Sequence, residues 1–143
     1  MKIFITFILS VFVLFAYDKS DHLRIQILET IITNITIEKD KKVWCDDKEI
    51  LKELANHNNL QVVQNCNDAT VIILKNKENL SKECKSKYIF TLNYQLLSET
   101  KESFGALFWK KGRPNIVILE PRIEEQNIKI SKDLEPYLEE QLW

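Results

Sequence analysis

Only two glycines occur in the chain, Gly105 and Gly112, and both fall inside one stretch, Phe104-Gly-Ala-Leu-Phe-Trp-Lys-Lys-Gly-Arg-Pro-Asn-Ile-Val-Ile-Leu119. Two apolar runs joined by a basic turn read as a β-hairpin. Gly112 sits where a short hairpin loop needs positive φ, which glycine adopts without a Cβ penalty. Strand alternation then buries one of Phe108 and Trp109 and exposes the other.

The opening residues bear on the compartment. Lys2 is followed by an apolar run from Ile3 to Phe15, broken only by Thr6 and Ser10, and then by the small residue Ala16. That is the layout of a removable signal peptide over residues 1–16. The run is shorter than the roughly 18–20 apolar residues of a membrane span, and Asp18, Lys19, Ser20 and Asp21 follow at once. Export to the periplasm is the expectation, with an uncleaved anchor as the other reading. No cysteine follows the apolar run, so lipid attachment is not expected.

Residues 17–143 then suit one domain with a single core. The formal net charge is -1, and loss of Lys2 makes it one unit more negative. This argues against nucleic acid as a partner, because phosphate binding needs a basic surplus. The basic patch worth naming is Lys110 to Arg113, a solvated turn or an anion site.

Periodicity sets the expected elements. Leu23, Ile27, Leu28, Ile31, Ile32 and Ile35 recur at helical steps after Ser20 and Asp21, which can cap, so a helix is predicted over Leu23 to Ile35. Val43 to Cys45 reads as a strand, Lys48 to Asn56 as a helix with Asp47 as its N-cap, and Leu60 to Val63 as a strand. Ala69 to Leu74 is a continuous apolar strand, a short polar helix spans Lys77 to Glu83, and Tyr88 to Leu92 is the next strand. Pro136 fits only the first turn of a closing helix that starts near Asp133, and Trp143 is expected to pack on the body. Strands alternating with helices predict an α/β fold: a small three-layer-like domain with a mostly parallel sheet, an antiparallel edge hairpin and flanking helices.

This layout resembles the YfiR-like family of small periplasmic proteins. The likeness rests on the signal peptide and leading helix, Asn65-Cys66 before the Ala69 to Leu74 strand, the Gly105 hairpin, and Ile128-Lys-Ile-Ser131 with Leu134. It covers most of Val43 to Leu138. The resemblance implies a periplasmic repressor that holds off an inner-membrane diguanylate cyclase until envelope or redox stress releases it. Members of that family often hold two disulfide pairs, whereas the three cysteines here allow one.

An oxidising compartment favours a bridge and leaves one thiol over. In a parallel sheet Cys66 and Cys84 each precede a strand and so share one end of it, while Cys45 ends a strand at the other. A Cys66–Cys84 disulfide with Cys45 as the free thiol is therefore expected, with stabilisation as its default purpose and a redox switch as the sharper reading. No C-x-x-C occurs, which sets aside a thioredoxin-type activity.

Catalytic constellations are not evident, and no enzyme activity, cofactor or metal is expected. His22 and His57 lack the spacing a zinc site needs, and the chain has no phosphate-cradling glycine loop and no G-x-S-x-G elbow. Asp46-Asp47 invites comparison with a receiver-domain acidic pair, but the next strand runs into Lys75 where an aspartate is needed. Asn34-Ile-Thr36 and Asn79-Leu-Ser81 match the glycosylation acceptor pattern.

Two surfaces remain as candidates. Open α/β sheets bind ligands beyond the carboxyl ends of their strands, here Asp46, Asp47, Lys75, Asn76, Asn93 and Tyr94. Phe104, Phe108, Trp109 and Arg113 are residue types enriched in protein interfaces. The function expected first is a periplasmic regulator docking on an inner-membrane sensor. A small-solute binding module associated with a transporter comes second and an enzyme last, and a homodimer is left open.

Overall fold

The computed structural model describes residues 21–57 and 59–142, so the signal-peptide reading of 1–16 and the expected packing of Trp143 lie outside the described residues. Helix α1 occupies 21–33 among them. It is followed by β1 (Ile35–Thr36), β2 (Lys42–Cys45), α2 (Lys48–Ala55), β3 (Gln61–Val62), β4 (Val71–Leu74), β5 (Tyr88–Thr91), α3 (Tyr94–Glu99), β6 (Ser103–Lys110), β7 (Arg113–Leu119), α4 (Glu120–Glu125), β8 (Lys129–Ile130) and β9 (Leu138–Glu139). The main sheet has the order β3-β2-β4-β5-β6-β7-β9. Strands β3 through β6 are parallel, β6 and β7 form the antiparallel hairpin, and β9 lies parallel to β7. The α/β class and the mostly parallel sheet follow the sequence pattern.

Alternation along β4 explains its unbroken apolar run. Val71 and Ile73 join one core with α1, α2, Phe90, Phe104 and Leu107, while Ile72 and Leu74 join a second on the other face with Cys84, Ile89 and Leu96. A strand covered on both faces has no polar side to show.

The expected helix over Leu23 to Ile35 stops two residues early. Ile25, Leu28, Ile31 and Ile32 form its buried stripe, whereas Leu23 is 39% exposed. Lys41 Nζ donates to the carbonyls of Ile32 and Ile35, each at 2.8 Å, which supplies the end of α1 with a cation and a donor. Ile35 then pairs with Ile130 in a separate two-stranded antiparallel sheet. This partner is 95 positions away in sequence, so the local helical period could not report it.

Other departures have local causes. The polar segment Lys77 to Glu83 is two 3₁₀ turns, Lys77–Asn79 and Lys82–Cys84, and no α-helix. The tail is a 3₁₀ segment, Lys132–Tyr137, with Pro136 inside it, because the proline ring cannot accept an α-helical neighbour four residues back. The hairpin is not outermost, since β9 adds two residues beyond β7. Two short helices went unforeseen. Asn93 caps α3 by accepting from Leu96 N at 2.7 Å. Helix α4 ends in a Schellman arrangement, with Asn127 at φ 56, Ile128 N donating to Ile123 O at 2.8 Å, and Asn127 N donating to Glu124 O at 3.2 Å.

Both glycines of the hairpin are required, for different reasons. A Cβ at Gly105 would stand 2.6 Å from the Val117 carbonyl oxygen and 3.0 Å from the Phe90 ring. At Gly112 nothing lies within 4 Å, but φ is +76. With Lys111 at φ 53, the two-residue loop has positive φ at both positions, the type I′ geometry that matches strand twist.

Candidate functional site

At the carboxyl ends of β2 and β4 the sequence places two acids and a lysine, and the fold joins them. Asp47 Oδ1 accepts from Glu49 N at 2.9 Å and Ile50 N at 3.1 Å, so it is the N-cap of α2 as expected. Its Oδ2 accepts from Lys75 Nζ at 2.8 Å. Asp46 turns the other way: Oδ1 accepts from Lys75 N at 2.7 Å, and Oδ2 from Asn76 N and Asn79 Nδ2, both at 2.9 Å. Both carboxylates are thereby committed to holding the β4 exit against the β2 exit.

Electrostatics follow that geometry. Burial pushes the Asp47 carboxyl up, but the Lys75 ammonium and the amides of Ile50 and Glu49 outweigh it and hold it below the usual range. The same pair raises the Lys75 ammonium. Burial pushes the Cys45 thiol up to about 12, and the neighbouring acids add to it, so Cys45 is a protonated core thiol and a poor nucleophile.

A cleft of about 380 Å³ opens beside this turn, lined by Asp21, Arg24, Ile25, Asp47, Glu49, Ile50, Glu53 and Lys75. Of the six positions expected to carry a ligand, Asp47 and Lys75 reach it. Asn93 is spent as the cap of α3, and Tyr94 lies edge-on to Phe108 with ring centroids 5.4 Å apart. Arg24, missed by sequence reasoning, stands 5.3 Å over the Trp109 ring and 4.0 Å from Asp21. Its position three residues after Asp21 on a helix was the available signal.

The hairpin set divides. Phe104 is 1% exposed and packs at 5.5 Å on Phe90, so it belongs to the core and to no docking surface. Phe108 and Trp109 are both half-buried, contrary to the expected one-in, one-out pattern. The cause is the two-sided cover of the sheet: Trp109 faces the α1 core and Phe108 the opposite cluster with Leu142. Arg113 is exposed.

Cys66 and Cys84 are bonded, with Cα atoms 6.0 Å apart, and Cys45 is the free cysteine. Cys84 is fully buried and Cys66 half-buried. The two histidines have separate partners, His57 with Glu29 and His22 with Gln26. Among the described residues no group of three His, Cys, Asp or Glu could hold a metal ion, and no helix is long and apolar enough to cross a membrane. The amides of both acceptor asparagines are engaged: Asn34 Nδ2 donates to Thr30 O at 2.7 Å, and Asn79 Nδ2 to Asp46. Compared with known proteins, the chain matches no family model and no curated protein sequence.

Proposed function

We propose that this is a YfiR-like periplasmic regulator that docks on an inner-membrane sensor, such as a diguanylate cyclase, and represses it. The observation that carries this reading is a hairpin with half-exposed Phe108 on the face that carries exposed Arg113 and half-exposed Trp109 on the other face, the residue types on which protein interfaces concentrate their energy. The regulator acts by occupancy and performs no chemistry of its own. In-cell crosslinking of the tagged protein, followed by mass spectrometry, should capture a membrane sensor with a cyclase domain. Capture of transporter subunits instead would overturn the reading.

The disulfide supplies the release signal in this proposal. Cys66 is the half-buried member of the pair, and a reductant thiolate attacking its sulfur would break the S–S bond and expel Cys84 as thiolate, a second thiol then resolving the mixed disulfide and freeing the 3₁₀ crossover between β4 and β5. Reduction before crosslinking should abolish capture, and undiminished capture would make the bridge a staple worth about 3 kcal/mol by loop closure.

A second reading, a small-solute binding module serving a transporter, is favoured by the cleft beside Asp47 and Lys75. It predicts a rise in melting temperature with one metabolite of a periplasmic panel. No rise with any member would leave the docking reading alone.

A further inference from the structure

The hairpin tip breaks two local rules at once. In the register of β6 and β7, Lys110 stands directly opposite Arg113. Like charges so placed, with Cβ atoms about 5 Å apart, destabilise a strand pair. Lys111 between them occupies the first loop position at φ 53, where type I′ turns favour asparagine, aspartate or glycine. Three cations thus crowd four residues, all exposed, and among the described residues none of them has an acidic partner. The stretch from Ser103 to Leu119 contains no acid at all. Violations of this kind, uncompensated within the fold, mark sites selected for something other than stability.

From the unpaired cations on this rigid turn, the geometry points to a receiving surface for an acidic segment of a protein partner. This rests on the docking reading and names the chemistry of its contact. Lys110 and Arg113 lie on the same hairpin face as Phe108, which is braced edge-on by Tyr94, so a segment seated on the cations also meets aromatic surface. A protein segment is favoured over an anionic bilayer because no large apolar side chain projects beyond the cations. Among the described residues the exposed large hydrophobic ones are Leu23 and Tyr137, and neither belongs to the hairpin. Backbone order at the tip is already fixed by the type I′ loop, so binding orders little further chain.

The test uses the purified protein and a fluorescent poly-glutamate peptide, read by anisotropy. Lys110→Glu/Arg113→Glu should weaken binding about tenfold, because two of three attracting charges reverse, and should flatten its salt dependence. Lys111→Asn keeps the turn and should weaken binding about threefold, which covers the case in which the double variant misfolds. Lys85→Glu/Lys101→Glu, at a cleft on the other end of the sheet, should change binding by less than about twofold if the tip is the site. No binding by the unmodified protein, equal loss in all variants, or preference for phosphatidylglycerol vesicles over the peptide would each overturn the proposal. Crosslinking separates it from the docking reading. A sensor captured equally by the double variant sinks the tip and leaves docking intact, whereas tip-dependent peptide binding without sensor capture sinks docking alone.

Discussion

The acidic turn at Asp46–Asp47 and the basic tip at Lys110–Arg113 are both charged corners of the same sheet, and they are built in opposite ways. At the acidic turn every carboxylate oxygen has a partner, drawn from α2, the β4 exit and the 3₁₀ crossover. At the tip Lys110 stands opposite Arg113 with Lys111 in the loop between them, and among the described residues none of the three has an acidic partner. Charge used to build the fold is saturated by the fold, while charge left unsaturated costs stability and is available to something outside it. Substitutions should therefore change stability with opposite sign at the two corners.

The largest effect is expected at Asp46. Asp46→Ala leaves Lys75 N, Asn76 N and the Asn79 amide without their acceptor. Because the site is half-exposed, water replaces part of what is lost, and the expected cost is about 2 kcal/mol. Urea denaturation measures it, and an unchanged midpoint would mean that the acidic turn is no more structural than the tip. Glu49→Ala, on the exposed face of α2, serves as the reference and should change stability little.

How much of this contrast was legible beforehand differs between the corners. Asp47 as N-cap, the β4 run and the Cys66–Cys84 pairing follow from local pattern and strand topology, and each is present. Asp46 was not legible as a brace, since its donors lie 29 to 33 positions away and no periodicity links them. Helices α3 and α4 span six residues each, too few for a helical stripe to declare itself, although Asn93 and the Glu120-Pro121 start were usable signals. Ile35 left its helix for a strand partner, which is tertiary context overriding propensity. The tip could have been read in full: a two-residue loop ending in Gly112 already fixes Lys110 opposite Arg113.

A smaller effect is expected at Asp47, with a pH signature. Asp47→Ala removes the cap of α2 and should cost about 1 kcal/mol at neutral pH. The folded carboxyl titrates below its ordinary value, so its stabilisation is complete above the unfolded Asp value of about 3.9 and is lost as pH falls through the depressed folded value. Stability of the native chain and the variant should therefore converge in acid. Asp47→Asn keeps the cap and removes only the exposed pair with Lys75, so its cost should stay under about 1 kcal/mol. A cost as large as that of the alanine variant would transfer the role of Asp47 from cap to ion pair.

The smallest effects, and the ones of reversed sign, belong to the tip. Arg113→Gln removes the like-charge opposition and should stabilise by a few tenths of a kcal/mol, in the range of cross-strand pair energies. Lys111→Asn should gain about as much by suiting the left-handed backbone at φ 53. Salt separates the two causes. Charge repulsion is screened at about 1 M salt, where the Debye length falls to about 3 Å, so the gain from Arg113→Gln should vanish there while that from Lys111→Asn persists. A gain at Arg113 that survives salt would assign it to strand propensity rather than to repulsion. A loss at either position would show that the cations already find compensation within the fold, and the two corners would then differ only in sign of charge.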